Sequence, residues 1–195
     1  MSRAAGILMP ITSLPGKYGI GCFSKEAYAF IDWLKEAGQT YWQILPIHPT
    51  SYGDSPYQSF STFAGNPYFI DLEELIEEGM LTREECDSMD FGDYEDDIDY
   101  EDQYQNRYIL LSMAYERSNI SQDSNYQCFV AENCWWLDDY ALFMALKNFF
   151  KGQCWNEWPQ DIRLRWGYSM DYYRRELYFD IEFQMFLQYW FFKQY

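Results

Sequence analysis

Residues 40–47 read Thr40-Tyr41-Trp42-Gln43-Ile44-Leu45-Pro46-Ile47. A short apolar run of this kind, rich in aromatic and β-branched side chains, predicts a buried strand. Upstream lies a second short apolar run, Gly6-Ile7-Leu8-Met9-Pro10-Ile11-Thr12, which predicts a first strand. Between them Ser24 is placed to cap a helix, and Glu26 sits in its first turn, where a negative charge suits the helix dipole. Ala27, Phe30, Ile31 and Leu34 then recur at helical spacing and give one apolar face, and Gly38 ends the helix. Strand, loop, helix and strand make a βαβ unit, whose strands run parallel with a right-handed crossover.

Outward from this unit the pattern turns helical. Residues 71–78 predict a short acidic helix closed by Gly79, and Thr82 with Glu85 fits a capping box for the next one. Residues 103–117 read as a helix and 119–126 as a polar linker. Longer helical segments are expected at roughly 128–151 and 169–195. Between them lies Trp155-Asn156-Glu157-Trp158-Pro159, followed by a short helix. Two parallel strands do not make a stable sheet covered on both faces, and a closed (β/α)8 barrel typically needs about 250 residues. The expected fold class is therefore α/β: the N-terminal portion of a TIM barrel, its first βαβ unit, with a large helical insertion and an incomplete barrel. Residues 1–70 would hold the βαβ unit and a binding loop, and residues 71–195 the mainly helical part. The aromatic finish, Tyr189-Trp190-Phe191-Phe192-Lys193-Gln194-Tyr195, carries no polar tail and suggests a truncated chain.

Composition narrows the function. The 195 residues carry a formal net charge of −17, which repels phosphate backbones and anionic lipid, so neither nucleic acid nor membrane is an expected partner. Neutral sugars meet no such penalty. The apolar fraction of 48% permits a packed core, and the 22% aromatic content supplies many flat faces. The five cysteines, Cys22, Cys86, Cys128, Cys134 and Cys154, are odd in number and contain no C-x-x-C pair. They point to free thiols rather than a disulfide framework or zinc site. No stretch has the length of a signal peptide or membrane span. A cytoplasmic protein is expected.

Single residues read blandly. His48 is the only histidine, and without a second one it suggests a structural role rather than a metal ligand. The glycines after the first run fit neither phosphate-binding pattern and read as a turn. Asp93-Tyr94-Glu95-Asp96-Asp97-Ile98-Asp99 spaces its acids like a calcium loop, but Ile98 stands where such a loop needs glycine, so a solvated acidic face is expected. No G-x-S-x-G elbow supports serine hydrolysis. The aromatic stripes of the last helices read as core contacts, some of them facing elements beyond this chain.

One set of motifs goes further. Gly6-Ile7-Leu8-Met9-Pro10-Ile11-Thr12-Ser13-Leu14-Pro15 and Tyr18-Gly19-Ile20-Gly21 are followed in order by Trp42-Gln43-Ile44-Leu45-Pro46. Asp54-Ser55-Pro56-Tyr57-Gln58-Ser59-Phe60-Ser61 and Ala64-Gly65-Asn66-Pro67 come next. Trp136-Leu137-Asp138-Asp139-Tyr140-Ala141-Leu142-Phe143 and Trp155-Asn156-Glu157-Trp158-Pro159 complete the set. In this order the chain resembles the 4-α-glucanotransferases (amylomaltases, or disproportionating enzymes) of glycoside hydrolase family 77. The resemblance implies transfer of α-1,4-glucan segments between maltodextrins, or to glucose, by a retaining double displacement in starch, glycogen or maltodextrin metabolism. It implies no cofactor and no metal. It places the reacting carboxylates on later strands, so no catalytic residue is assigned in this chain and the chain alone is expected to be inactive. It assigns substrate contacts to Tyr57, beside the cleavage point, to Ser55, and to Tyr52 at a further glucan contact. The contrasting expectation is a non-catalytic glucan-binding segment or an inert remnant.

Overall fold

The computed structural model describes residues 3–51, 53–92 and 97–195. Two compact units emerge: residues 1–119 with 190–195, and residues 120–189.

The first unit opens with β1 (Gly6–Leu8), α1 (Lys25–Glu36) and β2 (Tyr41–Gln43). The strands pair in parallel, Gly6 with Tyr41, Ile7 with Trp42 and Leu8 with Gln43. Both are shorter than the apolar runs predict. Met9 still donates to the Gln43 carbonyl at 3.0 Å, but Pro10 has no N–H to continue the ladder, and Ile11–Ser13 turns into a 3-10 helix. The second run loses its partner at the same point, because its register ends at Leu8 with Gln43. The Ser24 hydroxyl accepts from the Glu26 N–H, and Gly38 ends α1 at φ +70°, as expected. Phe30 of α1 meets Trp42 edge-to-face at 4.9 Å, and the Trp42 indole N–H donates to the Met9 carbonyl at 2.8 Å. Leu8 and Tyr41 remain 58% and 65% exposed, because no third strand covers this pair among the described residues.

Next come α2 (Leu72–Glu77), capped by Asp71 and followed by Gly79 at φ +76°, and α3 (Arg83–Asp87), entered through the Thr82–Glu85 capping box. The expected 103–117 helix begins earlier. Asp99 caps α4 (Tyr100–Asp102), residues Gln103–Arg107 wind as a π-helix, and α5 (Tyr108–Arg117) continues. The wider turn accommodates two polar side chains, Gln103 and Arg107, both fully buried. Arg107 donates to Gln103 Oε1 at 2.8 Å and to the Ile70 carbonyl at 2.7 Å, and shares the Tyr18 carbonyl with Gln103. Burial pulls the Arg107 pKa down, while nearby Asp71 opposes that shift. Ile70, Leu72, Leu75, Leu110 and Leu111 are fully buried in the same unit.

Residues 190–195 complete this core. Phe191 lies edge-to-face on Phe23 at 5.3 Å and covers Gly65, where an added Cβ would fall 2.1 Å from its ring. Glycine is required there by the close approach of the ring.

In the second unit, the expected 119–126 linker is mostly helical. Ile120–Gln122 forms a 3-10 turn and Asp123 caps α6 (Ser124–Phe149), which therefore starts before residue 128. Trp155–Glu157 makes another 3-10 turn, then come α7 (Gln160–Arg163) and α8 (Gly167–Glu176). The expected single helix over 169–195 is divided at Leu177 (φ −103°, ψ 25°), after which α9 (Tyr178–Gln194) begins. Trp158 sits between Phe143 and Phe150 at 5.6 and 5.3 Å, an aromatic core for this unit. Trp136 and Tyr140 are buried, as the aromatic stripes suggest, whereas Trp135, Phe149 and Phe179 are exposed. None of the described helices is long and apolar enough to cross a membrane.

Candidate functional site

The loop after β2 is built from small polar residues that satisfy its own backbone. Its base is tied by the Asn66 N–H on the Ile47 carbonyl at 2.9 Å and by His48 Nδ1 donating to the Ala64 carbonyl at 3.1 Å. His48 thus holds the loop, the structural role expected of it. Further out, Thr50 and Ser59 form an antiparallel bridge, and the Ser51 N–H donates to the Gln58 carbonyl at 3.1 Å. Ser59 Oγ donates to the Ser61 carbonyl at 2.7 Å, and Ser61 Oγ accepts from the Ala64 N–H.

At the tip, Gly53 and Asp54 both take positive φ, +91° and +54°, and reverse the chain. Burial raises the pKa of the Asp54 carboxyl, and its hydrogen bond with Thr50 draws it partly back. The turn Ser55–Gln58 then closes with the Gln58 N–H on the Ser55 carbonyl at 3.0 Å, with Pro56 at the position whose φ proline presets. Ser55 Oγ accepts from the Tyr57 N–H at 3.4 Å, so its hydroxyl hydrogen is still available to donate. Tyr57 is 73% exposed, and its phenol makes no hydrogen bond or ring contact among the described residues. Tyr52 lies outside the described residues, as do Asp93, Tyr94, Glu95 and Asp96 of the acidic run.

A small cavity of about 100 Å³ lies behind the loop, walled by Asp54, Pro56, Ile11, Tyr68 and Tyr100. Tyr57 is not part of its wall. A wider, open depression of about 760 Å³ is bordered by the Thr12–Gly21 loop and by Gly92, Asp97, Ile98 and Tyr100. The glycine-rich loop folds on itself, with the Gly21 N–H on the Thr12 carbonyl at 3.2 Å. Among the described residues no group of three or more His, Cys, Asp or Glu side chains could hold a metal ion.

The sequence profile of a family described as 4-alpha-glucanotransferase matches residues 9–195. The chain belongs to the 4-alpha-glucanotransferase family. The 4-alpha-glucanotransferase of Clostridium butyricum is 50% identical over 186 residues, covering 95% of this chain and 38% of that protein. That of Streptococcus pneumoniae is 44% identical over 194 residues, covering 98% and 38%. The structure of an amylomaltase from Streptococcus agalactiae in complex with acarbose superimposes with a TM-score of 0.92 at 39% identity, covering 99% of this chain and 39% of that one. The chain thus spans a little over a third of the length of these relatives. Its architecture corresponds to one part of a family-77 enzyme, mostly helical with a small parallel sheet.

Sequence reasoning singled out the loop but missed the Gln103–Arg107 pin. Gln103 and Arg107 stand in a polar run, Glu101-Asp102-Gln103-Tyr104-Gln105-Asn106-Arg107, so no apolar pattern set them apart from their exposed neighbours.

Proposed function

We propose that this chain supplies the opening segment of a 4-α-glucanotransferase barrel, in which an α-1,4-glucan segment passes to another maltodextrin or to glucose. Residues 1–70 would contribute the first βαβ unit and the substrate loop, and residues 71–195 the mainly helical part. The reaction would be a retaining double displacement: one carboxylate forms a glycosyl-enzyme, a carboxylic acid protonates the leaving oxygen, and an acceptor sugar takes the place of water. Both carboxylates would lie outside these 195 residues.

This chain's contribution is positioning. Tyr57 offers a phenol face to the C–H side of a sugar ring and a hydroxyl to its oxygens. Ser55 can donate its hydroxyl hydrogen beside it, and Tyr52 would add a more distant glucan contact. Pro56 and the cross-bridged loop lower the ordering cost of binding. The observation that carries this reading is the near-complete coverage of the chain, at 39% identity, by an amylomaltase whose structure holds acarbose.

Two assays test it. With maltotriose, the 195-residue chain should release neither glucose nor longer glucans, and robust turnover would show that the reacting carboxylates lie within it. In calorimetric titration with maltoheptaose, Tyr57→Ala should weaken binding. An unchanged isotherm would remove Tyr57 from the substrate contacts.

A further inference from the structure

In the second unit, a hollow of about 290 Å³ opens between α6 and the segment that follows it. We infer that it is an additional carbohydrate subsite, taking one glucosyl ring of an α-glucan on the indole of Trp155 and gripping its hydroxyls with Asp139 and Arg165. The inference rests on the glucan reading above and concerns a different place in the fold from the Tyr57 loop.

Trp155 is unlike its neighbours. Trp158, Phe143 and Phe150 pack on one another, and the Trp158 indole N–H donates to the Gln153 carbonyl at 3.1 Å. Trp155, three residues earlier, is 55% exposed, and its ring and its N–H have no partner among the described residues. Yet the backbone that carries it is fixed: the buried Trp158 anchors its turn, and Arg163 Nη1 donates to the Asn156 carbonyl at 2.8 Å. An indole held still with one face open suits the flat C–H face of a sugar. The hollow lies just below the roughly 300–1,000 Å³ of ordinary small-ligand pockets, so it fits a single ring of a longer chain rather than a swallowed ligand.

The polar rim has matching chemistry. Arg165 Nη2 meets Asp139 Oδ1 at 2.7 Å, and both side chains are more than half exposed. The other carboxylate oxygen and the remaining guanidinium N–H groups have no partner among the described residues. An acceptor beside donors is the set that adjacent sugar hydroxyls require. Arg165 also stands at φ +57°, just beyond α7, where glycine would serve the backbone better. Asp139 neutralises Arg165, and Arg163, which also borders the hollow, spends Nη1 on the Asn156 carbonyl; with −17 on the whole chain, an anionic ligand gains little there.

The test is a titration of the 195-residue chain, ¹⁵N-labelled, with maltoheptaose. One of the eight tryptophan indole resonances, identified by its loss in Trp155→Phe, should shift saturably. Asp139→Asn should weaken that response several-fold with near-UV circular dichroism unchanged, whereas Tyr57→Ala should leave it intact. A Trp155 resonance that stays in place while the Tyr57 loop responds would overturn this inference alone. Silence at both would overturn it together with the glucan-binding role given to the Tyr57 loop, whereas the maltotriose assay tests the transferase assignment separately. A shift with oligoproline but not with maltoheptaose would also overturn it.

Discussion

Arg107 reaches across 89 residues to Tyr18, placing Nη2 3.3 Å from a carbonyl oxygen that also accepts from Gln103 at 2.8 Å. With its bond to Ile70, the guanidinium ties the loop after β1, the entry to α2 and the π-helical turn to one buried point. Arg107→Met keeps the length but takes the guanidinium donor from the Ile70 carbonyl and from Gln103 Oε1, while the Tyr18 carbonyl keeps its bond from Gln103. Its unfolding free energy should fall by about 3 kcal/mol, the scale of lost charged hydrogen bonds plus desolvated acceptors. Urea denaturation checks this, and an unchanged midpoint would mean water replaces the guanidinium without loss.

Arg83 grips Glu73 with both guanidinium nitrogens, at 2.7 and 2.6 Å, and Tyr18 donates to the same carboxylate at 2.8 Å. The bond to Arg83 is the main cause that holds the Glu73 pKa down at about 2, against an ordinary 4.5. A carboxylate with a depressed folded pKa stabilises the fold above its unfolded value and loses that contribution as pH falls toward the folded one. The stability difference between the parent and Glu73→Gln should be full above pH 4.5 and should vanish by about pH 2. A difference that does not vary over this window would mean that Glu73 acts through packing alone.

Gly65 faces the ring of Phe191 with no room for a methyl group. Gly65→Ala should cost about 1–3 kcal/mol from overpacking. Gly65→Ala combined with Phe191→Leu should lose less than the sum of the single changes, because the smaller side chain relieves the clash. Strict additivity in a thermal double-mutant cycle would count against direct contact.

Arg165→Gly exchanges two small terms. It relieves a left-handed non-glycine residue, worth about 1 kcal/mol, and loses an exposed ion pair of about 0–1 kcal/mol. Stability should therefore move by less than about 1 kcal/mol, while the maltoheptaose response at Trp155 weakens. A large drop in melting temperature would show that the Arg165–Asp139 pair mainly supports the fold.

The parts legible in the sequence are the parts decided locally. Ser24, the Thr82–Glu85 pair, Gly38 and Gly79 act within a few residues of themselves, and each does what its pattern predicts. The strand runs predicted pairing but overstated its length, because Pro10 withholds a donor that an apolar pattern does not register, and the ladder stops there. Residues 119–126 read as a polar linker, which hid the early start of α6 behind its cap, Asp123. Arg107 was illegible because its partners, Tyr18 and Ile70, are distant backbone carbonyls. The Tyr57 loop was legible as a turn, but its substrate role came only from resemblance. Trp155 and Trp158 share the Trp155-Asn156-Glu157-Trp158-Pro159 motif with nothing in the letters to separate them, and only packing distinguishes the exposed indole from the buried one.

Phe191 also constrains the order of events during synthesis. Its ring covers Gly65 and touches Phe23, so the first hundred or so residues must emerge from the ribosome with a gap in their interior. At about 5–20 residues per second, that gap stays open for several seconds, until translation reaches the segment that plugs it. A nascent chain of this design depends on whatever shields its unfinished apolar surface during the wait.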